Sequence, residues 1–531
     1  MDKQDYARPD PFSKGETRRD FLKTISLAAT TFVLQGRWEI IKLFANEAAN
    51  KRDPALREPK LNFILILIDD LGWMDSGCYG SRFYETPNID RLAAEGMRFT
   101  DGYAACAVCS PTRAAVMTGR YPARTGVTDW IHFRDFRGSR TNPNQKNPTE
   151  YVGGKNRKLL CPPNPFWMEL EEITIAETLK PAGYTSCHVG KWHLGPDAWY
   201  PDKQGFDFNI AGCDYGQPPS YFDPYYRNGQ GYIPTLPPRR EGEYLTDREA
   251  DEAVRFIRQH KDKSFFLYLA HYAVHTPIQA KEELTEKYKN KPRYGQKNPT
   301  YAAMIESVDD AVGNIMSVLD ELDLAERTVI LFTSDNGGLS NVTNNAPLRA
   351  GKGYPYEGGI REPLIIRWPR VIKPGTVSHE PITSTDYFPT ICELASVPLP
   401  RDRVIDGVSL VEHLKSNGTK PLSREAIFWH FPHYRGDIVP YSIIRAGNWK
   451  LIKRYEGKTF ELFNLKDDLP EKNDLSDKIP EKVKELDAKL SDWLKATGTK
   501  LPIPNPDYSP NDKSPKKSYG RKKVGDYYES A

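Results

Sequence analysis

The chain has 531 residues, 74 Lys+Arg against 71 Asp+Glu, a formal net charge of +3 and a hydrophobic fraction of 39%. The length exceeds one small core and requires two domains or one large α/β domain with an appendage. The near-neutral charge excludes a general nucleic-acid binder, and the low apolar fraction excludes a protein built in the membrane. Seven cysteines without a tight pairing pattern argue against a disulfide framework, and 43 prolines imply long ordered loops.

In chain order, the first feature is an address. Thr17-Arg18-Arg19-Asp20-Phe21-Leu22-Lys23 precedes a mildly apolar run from Thr24 to Leu34. It resembles the bacterial twin-arginine export signal. That implies the twin-arginine translocase as a partner and a periplasmic location, with secretion or surface attachment left open. The apolar run is too short for a stable membrane span. Ala45, Ala48 and Ala49 offer small residues but no clean cleavage site.

The unbroken apolar run Leu61 to Ile68 reads as a strand buried on both faces of a parallel sheet. It ends in Asp69-Asp70, two carboxylates that repel unless a cation compensates them. The run Cys106 to Arg120 follows. Ser110 suits an N-cap, Pro111 the first helical position and Gly119 the stop. Cys109 then lies at a helix N-terminus, where free N–H groups and the helix dipole favour an anion. Arg113 reaches the same anion with a forked, permanent charge. The three features together suit attack on an oxyanion ester, whereas Cys109 alone reads equally as a buried structural thiol.

Residues 131–165 and 196–245 are long loops rich in aromatics. Trp130, His132, Tyr215, Tyr221, Tyr225 and Tyr226 are of the kind that line sugar-binding clefts, and each alone also fits ordinary loop packing. Amphipathic spacing predicts helices over 172–180, 247–260 and 301–322. Three further strands end in functional groups. The strand Tyr184 to Val189 leads to Lys191 and His193, and Ser264 to Ala270 leads to His271 and His275. Thr328 to Thr333 leads to Asp335 and Asn336. Open α/β sheets place their sites at such ends. An oxygen-only set fits a hard cation, and calcium accepts its irregular geometry. Lys352 follows in a glycine-rich loop, with Glu357 and Arg361 as a supporting ion pair. Beyond about residue 395 short alternating segments predict a small antiparallel sheet, closed by a helix over 480–496. His430 and His433 there either touch substrate at the cleft mouth or pack the domain interface. The tail from Pro502 reads as poorly ordered.

Cys109-Ser110-Pro111-Thr112-Arg113, continued by Thr118-Gly119-Arg120, resembles the signature of the type I sulfatases of the alkaline phosphatase superfamily. Gly190-Lys191-Trp192-His193-Leu194-Gly195 and His271 to Pro277 match further motifs of that family, and the likeness covers most of residues 60–465. Among its members the chain is similar to exported bacterial arylsulfatase-like glycan sulfatases. The resemblance implies a large, mixed, mostly parallel sheet flanked by helices, with a smaller C-terminal antiparallel sheet. Residues 1–55 would then be a leader, 56–395 the catalytic domain, 396–500 a small α+β domain and 501–531 the tail.

The resemblance also implies site roles. Cys109 is oxidised to formylglycine by a formylglycine-generating enzyme and faces a calcium ion held by Asp69, Asp70, Asp335 and Asn336. Arg113 assists that nucleophile. Lys191 and Lys352 bind the sulfate, His193 serves the formylglycine hydroxyl and His275 protonates the leaving alcohol. His271 is left as a structural or supporting residue. The implied substrate is an O-sulfated carbohydrate, galactose-type sugars first, contacted by His430, His433 and Tyr221. Two alternatives stay open: a phosphodiester or phosphonate hydrolase of the same superfamily, and a non-catalytic sulfoglycan-binding protein.

Overall fold

The run beginning at Leu61 is the strand against which the sheet is laid. In the computed structural model, which describes residues 60–131 and 146–511, β1 (Asn62–Ile68) is buried along its whole length. Its side chains divide between two cores. Ile64, Ile66 and Ile68 pack with helices Leu245–Gln259 and Pro299–Glu321. Phe63, Leu65 and Leu67 pack with helix Tyr387–Leu394. A strand covered on both faces has no polar side, hence the unbroken apolar run. Arg18, Arg19 and the leader, His132, and the tail beyond residue 511 lie outside the described residues.

The following strands are β2 (Met97–Tyr103), β3 (Leu159–Leu160), β4 (Thr185–Gly190), β5 (Phe208–Ile210) and β6 (Phe265–Ala270). Then come β7 (Thr328–Ser334), β8 (Arg361–Arg367), β9 (Thr376–Ser378) and β10 (Ile382–Thr383). All but β3 join β1 in a nine-stranded sheet of order β10-β2-β8-β7-β1-β6-β4-β5, with β9 beside β2. From β7 through β5 every neighbouring pair is parallel. β8 runs antiparallel to both β7 and β2. The expected mixed, mostly parallel sheet is therefore present. The carboxyl ends of β7, β1, β6 and β4 stand side by side.

Helix boundaries differ in informative ways. The Leu245–Gln259 and Pro299–Glu321 helices each begin two residues before their expected starts at 247 and 301. For the second, the reason is a cap: the Asn298 side chain accepts from the Thr300 and Tyr301 N–H groups, and Pro299 takes the first position. The helix expected over 172–180 shrinks to Ile175–Leu179, begun by a capping box between Thr174 and Glu177. Glu172 is turned aside to bind Arg120. No helix of the described residues is long and apolar enough to cross a membrane.

The strands β11 (Ile427–Phe431), β12 (Tyr441–Ala446), β13 (Trp449–Arg454) and β14 (Phe460–Asn464) form the expected small antiparallel sheet. Trp429, Phe431, Ile443 and Ile452 on one face pack against Tyr103, Val108 and Ile360. Ile444, Leu451 and Leu462 on the other pack against Leu486, Leu490 and Leu494 of helix Pro480–Thr497. The segment after Pro502 departs from expectation. There β15 (Ile503–Pro504) pairs antiparallel with β3, and the Asn505 amide donates to the carbonyls of Gly154 and Arg157. The open edge of β3 supplies backbone partners that polar composition alone does not reveal.

A buried ionic network joins the two sheets. Lys450 Nζ lies 2.9 Å from Glu357 and 2.8 Å from Glu471. Arg361 reaches Glu357 at 3.1 Å and Asp101 at 2.9 Å, and Arg445 reaches Asp101 at 2.7 Å. Burial alone would raise the Glu357 carboxyl, but Lys450 and Arg361 outweigh it and hold it at about 2. The Lys450→Met substitution leaves Glu357 and Glu471 facing each other without their shared cation. It is expected to cost about 3–5 kcal/mol of stability, read as a lowered thermal midpoint. An unchanged midpoint would show that the network does not hold the sheets together.

Candidate active site

The sheet ladder continues one step past the strands and sets the acidic ends in register. The Asp69 N–H donates to the Ala273 carbonyl at 2.9 Å, and the Asp335 N–H to that of Ile68 at 3.1 Å. Asp70 then turns into the left-handed region, φ 65°. Its carbonyl lies 3.2 Å from the Tyr301 hydroxyl, which is 2.7 Å from Asp75 Oδ2. Asp75 also accepts from the Gly72 N–H and the Thr343 hydroxyl, and burial pushes its carboxyl up to about 6. Sequence reasoning missed this brace. Asp75 stands in the same motif as Asp70, but Tyr301 comes from a distant helix.

Cys109 opens the Cys109–Thr118 helix, one of whose flanks is set by Val108 in extended conformation. The start is earlier than expected: Ser110 lies inside the helix, and its hydroxyl accepts from the Ile131 N–H at 2.9 Å. Pro111 is still tolerated, because N–H groups of a first helical turn have no intrahelical partner. The Thr112 hydroxyl donates back to the Cys106 carbonyl and accepts from the Cys106 N–H, fastening the loop that carries residue 109. Gly119 ends the helix at φ 67°. Cys109 is buried. Cys106 and Cys109 form no disulfide, and burial pushes the Cys106 thiol up to about 12.

Three cations from three elements meet three carboxylates here, all buried. Arg113 Nε donates to Asp335 Oδ2 at 2.8 Å, and its Nη1 donates to the Lys191 carbonyl at 2.7 Å. Lys191 Nζ donates to Asp69 Oδ2 at 2.6 Å. Lys352 Nζ donates to Asp70 Oδ1 at 2.5 Å. The loop bearing Lys352 docks on the cysteine loop through a Gly353 N–H to Ala107 carbonyl bond of 2.8 Å. Burial and the neighbouring Asp335 push the Asp69 carboxyl well up. Asp70 is also buried, but Lys352 and His275 outweigh that and hold it well down.

One atom each of Asp69, Cys109 and Asp335 lies within 4.8 Å of the others, and so does one each of Asp69, Asp70 and His275. Asn336 Nδ2 donates to Asp70 Oδ1 at 2.7 Å, which turns its Oδ1 the other way. Asn336 Oδ1 and Asp69 Oδ1 are buried and accept no hydrogen bond. Such orphaned oxygens are costly unless something binds them. Crowded carboxylates with an amide oxygen, two of their acceptors vacant, fit a hard divalent cation.

Both site histidines sit on the loops after their strands. His193 is buried at φ 61°, with Nε2 2.7 Å from the Ile131 carbonyl and Nδ1 without a partner. Burial and Lys191 push it well below the usual imidazole range. His275 Nε2 lies 3.6 Å from Asp70 Oδ2, and its Nδ1 faces the Thr276 carbonyl at 2.9 Å. Burial and Lys352 push His275 well down, against the pull of Asp70. His271 is buried against Glu249 at 2.6 Å, which is a structural contact.

The expected substrate contacts are placed differently. Tyr221 is fully buried, its hydroxyl 2.6 Å from the Tyr272 carbonyl and 2.9 Å from that of His275. It braces the His275 turn and faces no open cleft. His430 is buried between Ser442 and the Lys500 carbonyl, and His433 is buried against Thr128 at 2.8 Å. Burial pushes them down to about 4 and about 3. His433 follows the interface alternative through Thr128, whereas His430, on the face of β11 opposite Trp429 and Phe431, packs inside the small domain and meets neither alternative. Tyr215 and Tyr225 are buried, and Tyr226 is exposed.

Residues 61–397 match the family described as Sulfatase, and residues 351–500 match that described as N-sulphoglucosamine sulphohydrolase, C-terminal. A protein named Sulfatase from Formosa agariphila is 33% identical over 517 residues, covering 82% of this chain and 88% of its own. Human N-acetylgalactosamine-6-sulfatase is 36% identical over 403 residues, covering 71% of this chain and 68% of its own. The solved structure described as Ps i-CgsB in complex with k-i-k-neocarrahexaose has a TM-score of 0.68 and 31% identity, covering 82% of this chain and 93% of that one. The family match spans every strand end that carries the buried charge cluster, and the chain therefore belongs to the sulfatase family, with its alkaline-phosphatase-like fold, and is a sulfuric ester hydrolase.

Proposed function

We propose that this chain removes O-sulfate from a sulfated carbohydrate, galactose-type sugars first, using residue 109 as formylglycine and one calcium ion. The carrying observation is the buried charge balance around Cys109: Asp69, Asp70 and Asp335 against Arg113, Lys191 and Lys352, with two oxygens left without a hydrogen bond. Names among the relatives, N-acetylgalactosamine-6-sulfatase and a complex with neocarrahexaose, support a glycan substrate. The reading takes residues 1–55 as a leader exported by the twin-arginine translocase to the periplasm after a formylglycine-generating enzyme has acted. It takes 56–395 as the catalytic domain and 396–500 as the small domain.

Asp69, Asp70, Asp335 and Asn336 would hold the calcium ion beside residue 109. Calcium would lower the cost of negative charge there, and formylglycine would supply an oxygen nucleophile with a built-in route for sulfate to leave. Lys191 and Lys352, now bonded to Asp69 and Asp70, would turn to the sulfuryl oxygens once those carboxylates faced the ion. Arg113, clamped between Asp335 and the Lys191 carbonyl, keeps a permanent charge beside residue 109. The Thr276 carbonyl holds a proton on His275 Nδ1, so Nε2 is the atom that takes up and donates a proton to the departing sugar oxygen. The Ile131 carbonyl holds the His193 proton on Nε2, leaving Nδ1 as the acceptor for the residue 109 hydroxyl.

The reading is tested by sulfate release from a panel of defined sulfated oligosaccharides, with nitrophenyl sulfate and nitrophenyl phosphate as references. Turnover of the aryl sulfate with none on any saccharide would remove the glycan assignment, and preference for the phosphate would remove the sulfatase one. In protein co-produced with a formylglycine-generating enzyme, mass spectrometry should find the thiol-to-aldehyde change at residue 109. Cys109→Ala should abolish turnover, and Cys106→Ala should keep most of it; the reverse result would move the nucleophile. Chelation should suppress activity, and calcium should restore it. Asp335→Ala should lose more than Asp70→Asn, which keeps an oxygen donor. Full activity of metal-free protein would refute the cation. A sugar hydroxyl leaves poorly, so His275→Ala should cost about 100-fold or more on a sulfated sugar and much less on nitrophenyl sulfate. Equal losses would show that His275 is not the acid.

A further inference from the structure

The loop between β5 and the Leu245–Gln259 helix lines one wall of the site. Gly216 lies against the His193 ring, where a Cβ would stand 2.6 Å from Cε1. Beside it, Gln217 Oε1 accepts from the Thr276 hydroxyl at 3.4 Å, next to His275. The loop then doubles back in a tight turn closed by Arg227 and Gly231. That turn is tied to the same wall twice. Gln230 Nε2 donates to the Gln217 carbonyl at 2.8 Å, and the Tyr215 hydroxyl donates to the Gln230 carbonyl at 2.5 Å.

Tyr226 and Tyr232 flank this turn. Their ring centroids are 4.7 Å apart at 45°, and they are 43% and 57% exposed. The Tyr226 hydroxyl turns back to Asn228 at 2.9 Å, so the exposed area of that ring is largely apolar. Tyr215, Tyr221 and Tyr225 of the same loop are buried. Two large rings paired in water on a hydrogen-bonded support present a joined, mainly apolar surface to a ligand.

We propose that the Tyr226–Tyr232 pair is a platform for the sugar unit that follows the sulfated one on its leaving-group side, so that the protein prefers sulfated oligosaccharides to sulfated monosaccharides. The inference rests on the glycan reading above. His275 marks the side on which the sugar oxygen departs, and the rest of the glycan must leave past that residue. The hairpin is linked to that side through Gln217 and Thr276. The C–H face of a pyranose is weakly positive and complements the negative face of an aromatic ring. That contact needs no charge, and it leaves the sulfate group to Lys191 and Lys352.

The test compares sulfate release from carrageenan and chondroitin 6-sulfate hexasaccharides, from N-acetylgalactosamine 6-sulfate and from nitrophenyl sulfate. In a Tyr226→Ala/Tyr232→Ala variant, kcat/KM on the hydrolysed hexasaccharide should fall about tenfold, carried by KM, since both ring faces are removed. The monosaccharide and nitrophenyl sulfate values should stay within about twofold, which also verifies that the variant is folded. A Tyr226→Phe/Tyr232→Phe variant should retain the wild-type KM, because the ring faces remain. An unchanged hexasaccharide KM in the alanine variant, or an equal loss on all substrates, would overturn the platform while leaving the glycan reading intact. Wild-type protein that hydrolyses nitrophenyl sulfate and no saccharide would overturn both.

Discussion

Three carboxylates buried at the ends of adjacent strands are the constraint on which this structure turns. Asp69, Asp70 and Asp335 are taken out of water by the same sheet that aligns them. Desolvating a charge costs several kcal/mol unless a partner is supplied with good geometry. The partners come from three separate elements: Arg113 from a helix, Lys191 from the end of β4 and Lys352 from a glycine-rich loop. Each of those elements is therefore held where it is by the need to neutralise the strand ends. The cluster that suits an anionic ester and a cation also ties together the parts of the fold that carry it.

The small sheet repeats the solution behind the site. Lys450 from β13 sits between Glu357 and Glu471. Glu357 begins the turn that follows the Lys352 loop, and its N–H is anchored on Glu471 at 2.6 Å. Position 352 is thus supported from one side by the cysteine loop, through Ala107, and from the other by the second sheet. The small sheet bears on the site through this loop, whereas His433 is committed to the interface at Thr128 and His430 to the interior of the small domain.

The aromatic loop shows how one composition serves two purposes. Tyr221 fixes the carbonyls of the His275 turn, and Tyr225 meets Glu243 at 3.1 Å inside the loop. These rings make a long, proline-rich segment rigid without secondary structure. Tyr226 and Tyr232 remain outside on that rigid support. A wall fixed in this way confines the site histidines, since Gly216 leaves room for the His193 ring and little else.

Local pattern by itself determined the buried strand ending in Asp69-Asp70, the stop at Gly119, the four strand ends with functional groups, and the change to short antiparallel strands after about residue 395. Each of these is a property of neighbouring residues: apolar runs, caps and turn formers act over a few positions. Pairing across the chain was decided only by the tertiary structure. The sequence could not say which lysine meets which aspartate, nor that Tyr301, 226 residues from Asp75, braces the Asp70 turn. It could not tell that Tyr221, His430 and His433 point inward while Tyr226 and Tyr232 do not, or that Ile503 finds an edge at Leu160. A periodic pattern tells which face of an element is buried but not what lies opposite. Hydrogen bonds and ion pairs depend on ångström distances between segments that only the packed sheet brings together.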